Sequence, residues 1–134
     1  MRTYISGPMS GKPDLNRAAF DAAEKRLTAQ GHFVINPHRV SEQFGTPEEL
    51  AASFETYYDC LKFYGEGFFT TSLPSRKALQ TSRIARAVMD ADLAAVRSCD
   101  AIYLLRGWEN SRGAKKELAE AITHGLKVML EGAD

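Results

Sequence analysis

Two carboxylic acids in the second half of the chain are candidates for acid–base or nucleophilic chemistry, and the first is Asp92. It lies in a stretch with helical periodicity, and its neighbours three and four residues away are all apolar: Val88, Met89, Ala95 and Val96. Burying a carboxylate among apolar side chains costs free energy unless the carboxylate is paired with another group or serves in binding or catalysis. Its pKa should be raised, which is the property of a general acid. The alternative is a structural Asp that caps the helix or is satisfied within the core.

The second candidate, Glu117, lies in the early turns of another predicted helix. Three residues at helical spacing from it are tiny: Gly113, Ala114 and Ala121. These small neighbours leave room for a ligand beside the carboxylate. From position alone, a solvated Glu that favours a helix N-terminus is the stronger interpretation.

Two glycine-containing segments, 7–12 and 106–113, each follow a predicted strand. In an open parallel sheet, ligands bind beyond the carboxyl ends of the strands, where the strand order reverses. Both segments carry glycines and hydroxyls that suit an anion or a sugar, although they also fit ordinary turns between strand and helix. The first segment does not match the dinucleotide fingerprint G-x-G-x-x-G. The candidate substrate-binding residues are Gly7, Pro8, Met9, Ser10, Gly11, Trp108, Asn110, Ser111 and Gly113.

Apolar runs that alternate with helical patterns indicate the elements that hold these residues. The predicted strands are 3–6, 32–35, 101–105 and 127–130. Predicted helices run from Asp14 or Asn16 to about 30, from about 47 to 64, from about 81 to 98 and from Ser111 to 124. Strand–helix–strand units with short connections make parallel pairs. The sequence therefore predicts one α/β domain over 1–134, a flavodoxin/Rossmann-like three-layer sandwich with a mostly parallel sheet of four or five strands.

The segment from about 41 to 80 departs from this alternation and is rich in aromatic residues. One interpretation is a helix packed on the sheet, followed by a surface loop. The other is a lid or a dimer contact. Helical spacing cannot turn every aromatic residue inward, so we expect a homodimer or larger homo-oligomer that covers some of them. The candidates are Tyr57, Tyr58, Phe63, Tyr64, Phe68 and Phe69.

Composition narrows the classes of function. The 134 residues include 17 basic and 17 acidic side chains, and this balance argues against binding to a nucleic-acid polymer. No apolar run is long enough for a membrane helix, and the N-terminus does not read as a signal peptide. Cys60 and Cys99 have no metal or redox spacing and indicate a reducing, cytoplasmic location. The three histidines also lack metal-ligand spacing, so we predict neither a metal site nor a cofactor.

Three motifs occur in an order that resembles the nucleoside 2-deoxyribosyltransferase family. They are Tyr4-Ile5-Ser6-Gly7-Pro8, then Asp92-Leu93 followed by Cys99-Asp100, and Ser111-Arg112-Gly113-Ala114-Lys115-Lys116-Glu117. The spacing of the third motif is most similar to the branch that hydrolyses 2′-deoxynucleoside 5′-monophosphates. The resemblance covers 1–37 and 83–130 and leaves the middle segment uncovered.

This resemblance implies roles for individual residues. Glu117 matches the nucleophile, Asp92 the acid that handles the nucleobase and its proton, and Tyr4 the tyrosine that orients the nucleophile. Ser111 and Gly113 match the loop that holds the 5′ end of the sugar or its phosphate. Ser10 stands where the monophosphate hydrolases carry an arginine, so the need for a 5′-phosphate stays open. The expected activity is cleavage of an N-glycosidic bond by hydrolysis or base transfer; the alternative is a non-catalytic nucleotide-binding module.

Overall fold

Four short parallel strands form the centre of the computed structural model, which describes residues 1–9, 11–64 and 76–132. The strands are β1 (Arg2–Ser6), β2 (Phe33–Ile35), β3 (Ala101–Leu104) and β4 (Lys127–Leu130). They lie in the order β2-β1-β3-β4, and every neighbouring pair is parallel. The predicted α/β fold with a parallel sheet is confirmed, with four strands among the described residues.

The helices follow the predicted alternation, with one addition. They are α1 (Arg17–Ala29), α2 (Pro37–Ser41), α3 (Pro47–Tyr64), α4 (Arg76–Arg97) and α5 (Arg112–Thr123). Short 3₁₀ turns occupy Pro13–Asn16 and Trp108–Asn110. Helix α4 begins five residues before the predicted start. Asn16 precedes α1, but its side chain donates to the carbonyl of Pro8 (2.9 Å) and makes no capping hydrogen bond.

Helix α2 was not predicted, because Asn36-Pro37 reads as the end of a strand. The same pair is also a helix start. Asn36 Oδ1 accepts a hydrogen bond from the backbone N–H of His38 (3.0 Å), and Pro37 takes the first helical position, where no N–H is needed. The helix brings Pro37 and Ser41 to the carboxyl end of the sheet.

The two faces of the sheet are covered by different helices. Because side chains alternate along a strand, Ile5 and Tyr103 face one side, where they pack with Phe20 of α1. Tyr4 and Ile102 face the other side, where they pack with Val96 of α4. The result is a three-layer arrangement in which Tyr4 lies on the face that also carries α5.

Helix α3 packs along α4 rather than on the sheet. Tyr57 and Ala85 are buried in this contact, and Phe54, Tyr58 and Met89 pack around them. The predicted helix up to Tyr64 is therefore confirmed. Phe68 and Phe69 lie outside the described residues, as do the side chains of Phe63 and Tyr64. Within the described ranges, no helix combines the length and apolar character that crossing a membrane requires.

The chain leaves β1 toward β2 on one side and later returns to β3 on the other, so the strand order reverses between β1 and β3. Their ends approach closely there, since Leu105 donates its backbone N–H to the carbonyl of Ser6 (2.8 Å). A Cβ at Gly7 would lie 2.7 Å from the Cβ of Leu105, a distance that only glycine avoids. This edge is where an open parallel sheet binds its ligand.

Candidate active site

A cavity of about 360 Å³ opens at this edge and contains both acids singled out from the sequence. Its walls come from the loop after β1, from α2, α3 and α4, and from the first turns of α5. The lining residues are Gly7, Met9, Gly11, Leu15, Pro37, Ser41, Leu50, Ala51, Phe54, Glu55, Tyr58, Val88, Met89, Asp92, Ser111, Gly113, Ala114 and Glu117. Most of this wall is apolar, so the polar groups in it are few and convergent, as in a site for a small molecule.

Strand β1 fixes the carboxylate of Glu117. Tyr4 and Ser6, two residues apart, project from the same face of the strand. The hydroxyl of Tyr4 donates to Oε2 of Glu117 (2.8 Å), and the hydroxyl of Ser6 donates to Oε1 (2.6 Å). Glu117 is thus partly buried and held on both oxygens, and the interpretation of a solvated Glu at a helix start is wrong.

The start of α5 sets the direction in which Glu117 points. Ser111 is the N-cap, as predicted, and its Oγ accepts a hydrogen bond from the backbone N–H of Ala114 (3.2 Å). This bond satisfies one of the free N–H groups of the first turn. Gly113 and Ala114 lie one turn before Glu117 and line the cavity, so the space predicted beside the carboxylate is present.

Asp92 lies within α4, away from both of its ends, with only 8% of its surface exposed. Val88 and Met89, one turn earlier, line the cavity with it, and Val96, one turn later, belongs to the core. Its Oδ1 makes no hydrogen bond with the part of the chain that the structure describes. The capping alternative is therefore excluded, and a buried carboxyl oxygen is left for a ligand.

The surroundings of the two acids raise both pKa values, but unequally. Burial raises the pKa of Asp92 to about 9, with a further rise from the charge of Glu117, while the hydroxyl of Tyr4 opposes the rise. Burial also raises the pKa of Glu117, to about 7, while the hydroxyls of Ser6 and Tyr4 oppose the rise. Near neutral pH, Asp92 holds its proton and Glu117 is the group that ionises. An uncharged acid beside an ionisable carboxylate can supply a proton and a nucleophile to the same molecule.

The hydroxyl of Tyr4, which lies near both acids, stays protonated and neutral. Burial is the main cause that raises the pKa of its hydroxyl, followed by the charges of Glu117 and Asp92. Because it keeps its proton, Tyr4 can orient the carboxylate of Glu117 without competing for the substrate as a base.

The structure brings some of the predicted binding residues to the cavity and not others. Gly7, Met9, Gly11, Ser111 and Gly113 line it, whereas Ser10 lies outside the described residues.

Three other predicted binding residues are described and are not part of the lining: Pro8, Trp108 and Asn110. Trp108 packs against the buried cluster around Tyr4 and Ile102, so it serves the core rather than stacking on a base in this cavity. The backbone carbonyl of Pro8 accepts from Asn16 and supports the loop.

Sequence reasoning missed two groups of site residues. Ser6 could have been found from strand periodicity, because it lies two residues after Tyr4 and must share its face. Phe54 and Tyr58, four residues apart, share a face of α3, but periodicity does not say that this face turns toward the cavity. No group of His, Cys, Asp and Glu side chains among the described residues is arranged to hold a metal ion.

Comparison with known proteins adds a family match. A family model described as a domain of unknown function (DUF4406) matches residues 1–64 and 44–130. The two matched stretches overlap and together include Tyr4, Asp92 and Glu117 as well as α3. No curated protein and no solved structure matches the chain.

Proposed function

The chain belongs to the DUF4406 family, and we propose that it cleaves the N-glycosidic bond of a (deoxy)nucleoside or its 5′-monophosphate through Glu117. One observation carries the proposal: two carboxyl groups with different hydrogen-bond environments line the same cavity. Glu117 accepts from two hydroxyls, and Asp92 is surrounded by apolar side chains with one oxygen unpartnered within the described residues. The resemblance to nucleoside 2-deoxyribosyltransferases assigns the same two residues complementary roles.

In the first step, an oxygen of ionised Glu117 attacks C1′ of the sugar while the bond from C1′ to the base nitrogen breaks. The bonding electron pair leaves with the base, and Asp92 delivers its proton to the base. The product is a sugar ester of Glu117 and a neutral free base. The transition state resembles an oxocarbenium ion, which a carboxylate stabilises, as in retaining glycosidases.

In the second step, an acceptor attacks C1′ and the ester bond to Glu117 breaks, which restores the carboxylate. If the acceptor is water, ionised Asp92 takes up its proton and the reaction is a hydrolysis. If the acceptor is a nitrogen of a second base, Asp92 takes the proton from that base and the reaction is a transfer. Either way both acids return to their starting states.

The walls of the cavity suit the two ends of such a substrate. Val88 and Met89 give Asp92 an apolar surround that accepts a planar base. Ser111 and Gly113 lie at the first turn of α5, where the resemblance places the 5′ end of the sugar or its phosphate. The volume of about 360 Å³ is in the range of small-molecule sites.

The test is incubation of the purified protein with a panel of 2′-deoxynucleosides, ribonucleosides and their 5′-monophosphates, with free base as the readout. We expect release of base by the wild type and none by Glu117→Gln. Glu120→Gln is the matched control, since Glu120 lies on the same helix and pairs with Arg97 at the surface. Binding of the panel with no release of base would instead identify a non-catalytic nucleotide-binding module.

A homodimer or larger homo-oligomer is part of the same proposal, on changed grounds. Tyr57 packs within its own chain against α4, so it offers no surface for a partner. Exposed apolar side chains lie instead at both edges of the sheet: Phe33 on β2 at one edge, and Ile122, Val128 and Leu130 on α5 and β4 at the other. Light scattering at micromolar concentration should give a multiple of 14.8 kDa, and a clean monomer mass would refute the oligomer.

A further inference from the structure

Helix α3 contributes a wall of the cavity that the motifs with a family resemblance do not include. Leu50, Phe54 and Tyr58 recur every four residues and therefore lie along one stripe of the helix. All three line the cavity that holds Asp92 and Glu117. The helix thus runs along the site and presents side chains at successive positions of a bound molecule.

The ring of Tyr58 is held in place by two aromatic neighbours. It stacks on Phe54 with ring centroids 6.1 Å apart and an interplanar angle of 27°. It meets the ring of Tyr57 edge-on at 5.5 Å and 78°. Tyr57 is itself buried between α3 and α4. Such packing fixes the ring and so fixes the position of the hydroxyl.

The hydroxyl of Tyr58 reaches the first turn of α5. A Cβ built on Gly113 would lie 3.8 Å from Oη of Tyr58 and 4.0 Å from Oγ of Ser111. Two hydroxyls from different helices therefore flank the same point on the cavity wall. A side chain larger than hydrogen at Gly113 would occupy the space between them.

The charges near Tyr58 leave its hydroxyl as a neutral donor. Burial, then Tyr57 and the charge of Glu117, raise the pKa of Tyr58, while Arg112 opposes the rise. The group keeps its proton near neutral pH and can donate it to an oxygen of a bound molecule.

The proposed reaction fixes which oxygen that is. It places C1′ at Glu117, and Gly113 lies four residues earlier on α5, about 6 Å along the helix axis. In a nucleoside the 5′-oxygen is carried on C4′, across the ring oxygen from C1′, so it extends from Glu117 to a neighbouring part of the cavity wall. With the base at Asp92, the 5′-oxygen comes to the point that Tyr58 and Ser111 flank.

We propose that Tyr58 is a specificity-determining residue whose hydroxyl donates a hydrogen bond to the 5′-oxygen substituent of the substrate sugar. The proposal rests on the proposed function, since that reaction orients the sugar. The ring, together with Phe54, forms the surface against which the sugar packs. Helix α3 thereby selects nucleosides that carry an oxygen at the 5′ position.

The test compares Tyr58→Phe with wild type on three ligands that differ only at the 5′ position. These are a 2′-deoxynucleoside, its 2′,5′-dideoxy counterpart and its 5′-monophosphate. We measure kcat/KM for base release and Kd by calorimetry. Loss of one neutral hydrogen bond should lower kcat/KM and affinity about five- to tenfold for the two ligands with a 5′-oxygen, and leave the dideoxy ligand unchanged.

Tyr57→Phe is the matched control, because it removes the same hydroxyl from the neighbouring ring that does not line the cavity. It should keep the wild-type preference for a 5′-oxygen. A larger effect of Tyr58→Phe on the monophosphate than on the nucleoside would identify a phosphate oxygen as the acceptor, and equal effects would identify the 5′-hydroxyl.

Two results would overturn the proposal. One is a Tyr58→Phe variant that weakens all three ligands equally, as a merely structural role predicts. The other is an unchanged preference for the 5′-oxygen. If the wild type binds the ligands but releases no base, the proposed reaction fails and the ratio of Kd values still decides the role of Tyr58. If the wild type binds none of the three, the proposal is wrong.

Discussion

The two walls of the cavity place their carboxyl groups in opposite environments. On the sheet side, β1 gives Glu117 a hydroxyl donor for each oxygen. On the helical side, α4 surrounds Asp92 with Val88 and Met89 and leaves its Oδ1 without a partner among the described residues. Both carboxyl groups are removed from solvent, and this burial raises both pKa values. Two hydroxyls oppose this rise at Glu117, whereas at Asp92 Tyr4 alone opposes it and the charge of Glu117 adds to it, so Glu117 ionises first.

The two faces of helix α5 likewise place their glutamates in opposite environments. Glu120 lies three residues after Glu117 but faces outward, where it pairs with Arg97 (3.1 Å) and His124 (3.0 Å). The hydrogen bond from Arg97 is the main cause that lowers the pKa of Glu120, and His124 acts in the same direction. Two glutamates less than one turn apart therefore have shifts of opposite sign. Position on the helix, rather than residue type, sets the direction in which the pKa of each glutamate is shifted.

Replacing Glu117 tests the sheet-side wall and should have the largest effect. In Glu117→Gln the amide keeps the shape but cannot attack C1′, so base release should fall about a thousandfold or more. Circular dichroism should show an unchanged fold. Glu120→Gln should stay within about twofold of wild type, because a partly exposed ion pair contributes little. Turnover at the wild-type rate in purified Glu117→Gln would show that Glu117 is not the nucleophile.

Replacing Asp92 tests the helical wall. Asp92→Asn cannot protonate the departing base, so cleavage should fall about 10²- to 10⁴-fold. The loss should grow as the base becomes a poorer leaving group, since such bases need the proton most. Rates across a series of bases with different basicities give this dependence. A loss that is the same for every base would mean that Asp92 positions the substrate rather than protonating it.

The same variant should stabilise the fold at neutral and alkaline pH. The folded-state pKa of Asp92 is raised from about 4, so the protonated acid supports folding below about pH 4 and this contribution is lost as the pH rises toward about 9. An Asn has no such proton to lose. At pH 8, Asp92→Asn should be more stable than wild type by an amount on the order of 5 kcal/mol, shrinking toward zero at pH 4. Urea unfolding at both pH values measures this, and a variant that is less stable at pH 8 would contradict the burial of an unpartnered acid.

Removing the hydroxyl of Ser6 makes the two walls more alike and should have the smallest effect. Ser6 donates to Glu117 and lowers its pKa, so Ser6→Ala should raise that pKa above about 7. The acidic limb of the pH–rate profile should move upward by roughly half to one unit, while the alkaline limb, set by Asp92, stays in place. Thr3→Val, which removes a hydroxyl from the opposite face of β1, should leave both limbs unchanged. A rate that falls equally at every pH, with neither limb displaced, would mean that Ser6 acts through packing alone.

Much of the fold followed from the sequence because buried strands and helix starts leave local signals. The runs at Thr3–Ser6 and Lys127–Leu130, and the cap at Ser111, needed no tertiary information. Helix α2 was not predicted, because Asn36-Pro37 fits both the end of a strand and the start of a helix. The structure resolves this ambiguity by the hydrogen bond from His38 to Asn36.

The site was only partly predictable. Asp92 was recognisable because its helical neighbours are apolar, whereas the position of Glu117 alone indicated a solvated residue. Its burial depends on Tyr4 and Ser6, more than a hundred residues earlier in the chain. Trp108 does not line the cavity and packs, partly buried, against the core cluster around Tyr4, a position that its place in a loop sequence does not reveal. Which side chains of α3 line the cavity depends on how α3 packs on α4, and no local pattern contains that information.

The most direct test of the account is the configuration of the sugar product. Base release from a 2′-deoxynucleoside is carried out in water that contains methanol, and the anomer of the methyl 2-deoxyriboside is read by proton NMR. Attack by Glu117 followed by attack of methanol on the ester inverts C1′ twice, so the account predicts the β-anomer, with the configuration of the substrate retained. The α-anomer would show that the acceptor attacks the nucleoside directly, and it would contradict a covalent role for Glu117.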